Sequence, residues 1–259
     1  MHLRHCFDTA QHGARGLRAS VDWYEPNRAA GVLEDLLRRA GRIAREAQPT
    51  MRSERKGDGS PVTEADRIVD AFLAEALAAA FPGCAVLGEE GARIEGGPRF
   101  YVDPIDGTRS YLQRLAYWGP TVCLYDGPEL VLGAFYAPMV DEYWFAARGH
   151  DAFRDGERLT MPEPPDPREQ VLFVPSRFHL ARNVVWPGRI RALGSTAAHL
   201  AHVAGGAGSL TIVPRWKRWD VGCGVLLVQE AGGVVSDLRG TPLDRNLGAD
   251  DLPFVAGAS

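Results

Sequence analysis

Apolar residues recur every three to four positions from Pro26 onward. Val32, Leu33, Leu36, Leu37, Ala40, Ile43, Ala44 and Ala47 share one face, with Arg and Glu on the other. The spacing predicts a helix that Pro49 ends. A polar, Gly-containing stretch runs from Arg52 to Pro61. Thr63-Glu64-Ala65-Asp66 then resembles a capping box opening a second helix, expected to bury Ile68, Val69, Phe72, Leu73, Ala76 and Leu77. Pro82-Gly83 closes it. Strand-like runs follow at 84–87 and 100–103. Residues 118–159 read as an antiparallel meander, with runs at 121–125, 130–136 and 143–147 between turn signals such as Asp126-Gly127 and Asp155-Gly156.

The Pro-rich stretch 161–167 is the candidate domain junction. Beyond it strands (170–174, 190–193, Leu210–Val213, Val234–Asp237, 252–256) alternate with helices (195–204, 221–231). The chain therefore divides into an α+β half, 28–165, and an α/β half, 166–259. Residues 1–27 show no sustained periodicity and read as a loosely ordered tail, without the pattern of a signal or transit peptide.

Composition narrows the function classes. With 259 residues, 45% of them hydrophobic, the chain can build a large core, which excludes disorder as a whole. A net charge of −4 and a pI near 6.0 offer no global electrostatic case for nucleic acid. No apolar run approaches the ~20 residues of a membrane span. Cys6, Cys84, Cys123 and Cys223 are scattered without a C-x-x-C pair, which reads as reduced thiols in a cytoplasmic protein.

The chemistry concentrates in Phe100-Tyr-Val-Asp-Pro-Ile-Asp-Gly-Thr108. A strand is expected to deliver Asp103 at its end, with Pro104 holding that residue extended. Asp106 follows three residues later, so both carboxylates can converge as the chain turns. Gly107 permits close backbone approach, and Thr108-Arg109-Ser110-Tyr111 reads as a first helical turn whose free N–H groups suit a phosphate. Carboxylates beside a phosphate cradle suggest Mg²⁺ or Mn²⁺. The acids are spaced D-x-x-D, which sets them out of register with a phospho-aspartate D-x-D-G-T site. An ordinary Asp/Pro/Gly turn is the structural alternative.

Glu89 ends a strand-like run, where ligands commonly gather. Asp220 precedes an apolar helix, placed either to cap it or to bind. Lys56 opens a flexible polar arm leading to Asp66.

In this order, K-x-D-x-S-x-V-T-x-A-D (56–66), G-E-E (88–90), D-P-I-D-G-T (103–108), L-G-S (193–195) and W-D followed by E-A-G-G (219–233) resemble the inositol monophosphatase-like family of metal-dependent, lithium-sensitive phosphatases. The resemblance covers about residues 30 to 256. It implies a layered αβαβα sandwich of the sugar-phosphatase type, with an antiparallel sheet in the first half and an α/β second half. By similarity Glu89, Asp103, Asp106, Asp220 and the Ile105 carbonyl would hold two or three Mg²⁺ ions. Thr108, oriented by Asp66, would position the attacking water. Substrate would meet Asp106, Gly107, Thr108, Gly194, Ser195, Thr196 and Asp220, with Lys56, Arg215 and Lys217 as further candidate contacts. Family members are usually cytosolic and often dimeric.

Candidate substrates are inositol monophosphate, other sugar or polyol phosphates, fructose 1,6-bisphosphate, histidinol phosphate and a 3′-phosphoadenosine 5′-phosphate. Animal inositol monophosphatases carry an acid several residues before W-D, and Val213 stands there, with Arg215, Lys217 and Arg218 following. A catalytically dead scaffold would lack a ligand carboxylate, and none is missing. The other rival is nucleic-acid binding through Trp216 and Trp219 among those cations.

Overall fold

The computed structural model describes residues 25–50, 52–57, 59–180, 185–243 and 252–258. Of the expected tail 1–27, residues 1–24 lie outside these, as does Cys6, whereas Glu25 caps the first helix and Pro26 and Asn27 open it. That helix, α1 (Pro26–Ala47), starts where the Glu25 carboxylate accepts the N–H groups of Asn27 and Arg28, at 3.3 and 2.9 Å. Leu33, Leu36, Leu37, Ala40 and Ala44 are buried along its inner face as the spacing requires.

A short hairpin, β1 (Ser53–Arg55) and β2 (Pro61–Thr63), leads into α2 (Glu64–Ala80). The capping box is present: Asp66 Oδ2 accepts the Thr63 N–H at 2.8 Å and Thr63 Oγ1 accepts the Asp66 N–H at 3.3 Å. Val69, Leu73 and Leu77 are buried as expected, but Ile68 is 46% exposed. The inner face is rotated toward Asp66 and Asp70, which are 1% and 2% exposed. A hydrophobic stripe cannot reveal that a helix turns two carboxylates inward.

The large sheet contains β3 (Ala85–Gly88), β4 (Arg93–Ile94), β5 (Arg99–Asp106), β6 (Gly119–Asp126), β7 (Glu129–Ala137), β8 (Glu142–Ala147), β9 (Ala152–Arg154) and β10 (Glu157–Arg158). Its order is β10-β9-β8-β7-β6-β5-β3-β4; only β3 and β5 pair parallel. The meander is β6 to β10. β5 runs further than the sequence suggested, past Asp103 to Asp106, with a bulge between them. The bulge accommodates Pro104, which has no N–H for a regular ladder.

The second sheet, ordered β12-β11-β13-β15-β14, is built from β11 (Val171–Phe173), β12 (Arg189–Arg191), β13 (Leu210–Val213), β14 (Val234–Asp237) and β15 (Phe254–Gly257). Two helices, α4 (Thr196–Ala204) and α5 (Arg218–Glu230), lie between the sheets, touching β7 on one side and β15 on the other. The short helix α3 (Thr108–Leu112) follows β5. Alternation along the large sheet sends Phe100, Val102, Val122 and Leu124 toward α1 and α2, and Cys123, Tyr125, Phe135 and Trp144 toward α4 and α5. A thin outer layer, Leu172, Val174 and Phe178, covers the far face of the small sheet. The result is the expected layered α/β sandwich. Cys84, Cys123 and Cys223 are buried free thiols. Among the described residues no helix is long and apolar enough to cross a membrane.

Candidate active site

Three elements bring acids together. Glu89 follows the last residue of β3, Asp103 lies at the β5 bulge, and Asp220 sits in the first turn of α5. One carboxylate oxygen from each lies within 4.8 Å of the others. Asp220 is not the cap that its place before an apolar run suggested. Lys217 holds that position, and Asp220, three residues on, reaches back so that Oδ2 accepts the Lys217 N–H at 2.7 Å. Asp103 Oδ1 accepts the Ile105 N–H at 2.9 Å, which fixes its side chain across the bulge.

Burial, then the charges of Glu89, Asp106 and Asp220, hold Asp103 well above the usual carboxylate range. Burial and the charges of Asp106 and Glu89 push Asp220 up to about 8. An all-oxygen donor set in which neighbouring acids raise Asp103 and Asp220 is the chemistry of a hard divalent cation site. Lys56 was a candidate substrate contact, but its Nζ lies 2.7 Å from Glu89 and 2.5 Å from Glu90. Burial opposes this ammonium, and the bonds to the two glutamates outweigh it and raise its pKa.

Asp106 stands beside the trio. The Ser195 hydroxyl and the N–H groups of Ala197 and Thr196 donate to its carboxylate, so it is anchored on the start of α4. Burial raises it to about 6, against the pull of those bonds. Ser195 also caps α4, its Oγ accepting the Ala198 N–H at 3.0 Å, so the hydroxyl is committed to Asp106 and the helix. Gly107 has φ +86, and a Cβ there would lie 3.0 Å from the Gly194 carbonyl oxygen. That left-handed turn presses the D-G-T segment against Gly194 and requires glycine.

Thr108 Oγ1 lies 3.2 Å from the Ile105 carbonyl oxygen and 3.5 Å from Asp66 Oδ1. Burial raises Asp66 to about 6, opposed by two hydrogen bonds from Thr63.

A cavity of about 290 Å³ opens from Gly194, Ser195 and Thr196 toward Val213 and Arg215. Its wall includes Ser176 and His199, which the sequence reading missed. His199 Nε2 accepts the Leu193 N–H at 2.9 Å, its ring stacks on Phe173, and burial lowers it to about 4. The imidazole is neutral, with its proton assigned to Nδ1. Within an apolar helix it carried no signal apart from core.

The aromatic-basic cluster disperses. Trp216 is 2% exposed and donates to the Leu252 carbonyl at 2.6 Å, which removes it from any stacking surface. Arg218 lies over the Tyr125 ring, 4.9 Å from its centroid. Arg215 remains exposed at the mouth of the cavity.

The inositol monophosphatase family model matches residues 27–254. The chain belongs to the inositol monophosphatase family. A Thermotoga maritima "fructose-1,6-bisphosphatase/inositol-1-monophosphatase" is 31% identical over 184 residues, covering 69% of this chain and 72% of the relative. A Mycobacterium tuberculosis "histidinol-phosphatase" is 32% identical over 208 residues, covering 73% and 79%. The solved Thermotoga maritima inositol monophosphatase superposes with a TM-score of 0.77 at 27% identity, covering 88% of this chain and 91% of that one. Members of the inositol monophosphatase family are metal-dependent phosphatases, and this one carries an acidic cluster able to hold metal. Relatives of nearly equal identity bear different substrate names, so identity does not select the substrate.

Proposed function

We propose that the chain is a Mg²⁺-dependent phosphomonoesterase that hydrolyses inositol monophosphate or related sugar and polyol phosphates by direct attack of water. The observation that carries this reading is the convergence of Glu89, Asp103 and Asp220 within 4.8 Å. Asp106 and the Ile105 carbonyl complete the proposed ligand set, drawn from both halves of the chain, with the boundary near 165. A divalent cation held there neutralises phosphate charge and lowers the pKa of water.

The chain's own groups do the rest. The Gly107 and Thr108 N–H groups bind phosphate oxygens. Thr108 Oγ1 accepts a hydrogen bond from the attacking water and directs its own proton to Asp66 Oδ1, 3.5 Å away. Ser195, through its hydroxyl on Asp106, keeps that carboxylate aimed at the site. The Thr196 end of α4 and Ser176 face the leaving-group alcohol across the 290 Å³ cavity.

A bisphosphate substrate, as for fructose 1,6-bisphosphate or a nucleoside bisphosphate, is the second reading. It is favoured by Arg215 at the cavity mouth and by Val213, which is 3% exposed and offers no acceptor to a hydroxyl. Phosphate release from a panel of inositol, sugar, histidinol and bisphosphate substrates, with Mg²⁺ and with chelator, tests both. Single turnover in ¹⁸O-water should place one label in phosphate with no trapped phosphoenzyme. A covalent phospho-aspartate would overturn the mechanism.

A further inference from the structure

A second cavity, about 180 Å³, lies between the β1–β2 hairpin and α3 and shares no lining residue with the substrate pocket. Arg55 projects from the hairpin and Arg109 from α3, while Ser53 and Gln113 supply neutral donors and acceptors. Neither guanidinium has an acidic partner within ion-pair distance among the described residues, and Glu54, which also lines this cavity, is paired with Arg67 at 2.6 Å instead. Among the described residues the cavity therefore carries two guanidinium groups without an ion-pair partner, one from the hairpin and one from α3, each a planar donor suited to a tetrahedral oxyanion.

We propose that this cavity is a second phosphate site, separate from the catalytic centre, that takes inorganic phosphate or the phosphate of a small monoester between Arg55 and Arg109. Its position gives binding a consequence. Arg55 is followed by Lys56, whose ammonium holds Glu89 and Glu90, and Arg109 follows Thr108. An anion clamped between the two arginines ties the hairpin to α3 and so fixes both neighbours against the acidic cluster. The cationic groups of the site are the two arginines, and it does not depend on the identity of the hydrolysed substrate.

The test uses the full chain freed of divalent cations with chelator, because the catalytic centre is then a cluster of acids that repels anions. Inorganic phosphate and glycerol 3-phosphate are titrated separately by calorimetry, with sodium chloride matched for ionic strength. One equivalent of phosphate should bind, and Arg55→Ala or Arg109→Ala should each weaken it about tenfold or more, the scale of one charge-assisted pair. Arg215→Ala, in the substrate pocket, should leave the titration unchanged. Equal binding of the monoester makes this a site for organic phosphates, and binding of free phosphate alone makes it a site for the released product. Either result upholds the proposal. Absence of binding to the wild-type chain, or binding that survives in the Arg55→Ala/Arg109→Ala double variant with an unchanged circular-dichroism spectrum, overturns it.

Discussion

The Asp70 carboxylate fills the space in which Gly88 would carry a side chain. A Cβ on Gly88 would lie 1.9 Å from Asp70 Oδ1. Asp70 Oδ2 accepts the Ala92 N–H at 2.9 Å, closing the turn that carries Glu89 and Glu90, while Oδ1 is buried without a hydrogen-bond partner. Gly88→Ala should therefore cost about 1–3 kcal/mol by overpacking and weaken Mn²⁺ binding. In the Gly88→Ala/Asp70→Ala double variant the two effects should be less than additive, because the clash is gone. Urea unfolding in chelator and Mn²⁺ titration by electron paramagnetic resonance measure both; simple additivity would show that the contact does not couple them.

Asp220→Asn separates structure from catalysis at one position. Asparagine keeps an oxygen for the Lys217 N–H, so the first turn of α5 survives. The charge that burial disfavours is removed, so the metal-free variant should melt above the wild type at pH 8. Activity should fall by orders of magnitude. Substantial activity in saturating Mg²⁺ would falsify the ligand assignment.

The pH dependence of the metal-free protein has a definite sign. Asp220, raised to about 8, contributes stability that is present at low pH and lost as pH rises through that value. His199 and His202, both lowered to about 4, act in the opposite sense, but only below their ordinary 6.5. Between pH 6.5 and 8.5 the histidines no longer contribute. The buried thiols Cys84, Cys123 and Cys223, raised by burial, act in the same sense as the carboxylates toward the upper end. Stability in chelator should fall by about 2 kcal/mol, a drop of about 5 °C in Tm. Mg²⁺ should stabilise more at pH 8.5 than at pH 6.5, as differential scanning calorimetry will read.

Thr108→Ala removes the hydroxyl between the Ile105 carbonyl and Asp66. A fall in kcat of about 10² or more is expected with little change in KM, and Thr108→Ser should restore most of it. A KM effect alone would assign Thr108 to binding instead.

Arg215 and Lys217, equivalent in the sequence, separate in the fold. Arg215 lines the substrate cavity, whereas Lys217 occupies the cap position of α5 and is absent from the cavity wall. Arg215→Ala should raise KM for a bisphosphate several-fold more than for a monophosphate, and Lys217→Ala should not discriminate. Equal effects of Arg215→Ala on both substrates would remove the bisphosphate reading.

Much of this protein was legible along the chain because its signals are local. The α1 stripe, the Thr63–Asp66 capping box, the meander strands and the D-P-I-D-G-T segment each depend on residues within a few positions of one another. Ordered motifs identify the family, and every acid of the converging trio is a candidate on the sequence alone. The β5 extension was hidden because a bulge breaks the alternation that would announce it.

What only the tertiary structure decided are relations between distant segments. The inward turn of Asp66 and Asp70, the capture of Lys56 by Glu89 and Glu90, the anchoring of Asp106 on α4 and the burial of Trp216 all oppose what residue type suggests. A charged or aromatic side chain reads as exposed or reactive in isolation. Its true state is set by which partners reach it across the fold, since an ion leaves water only where another group replaces the lost hydration. Ala197 lies 91 positions from the Asp106 that it anchors, and no periodicity along the chain encodes that distance.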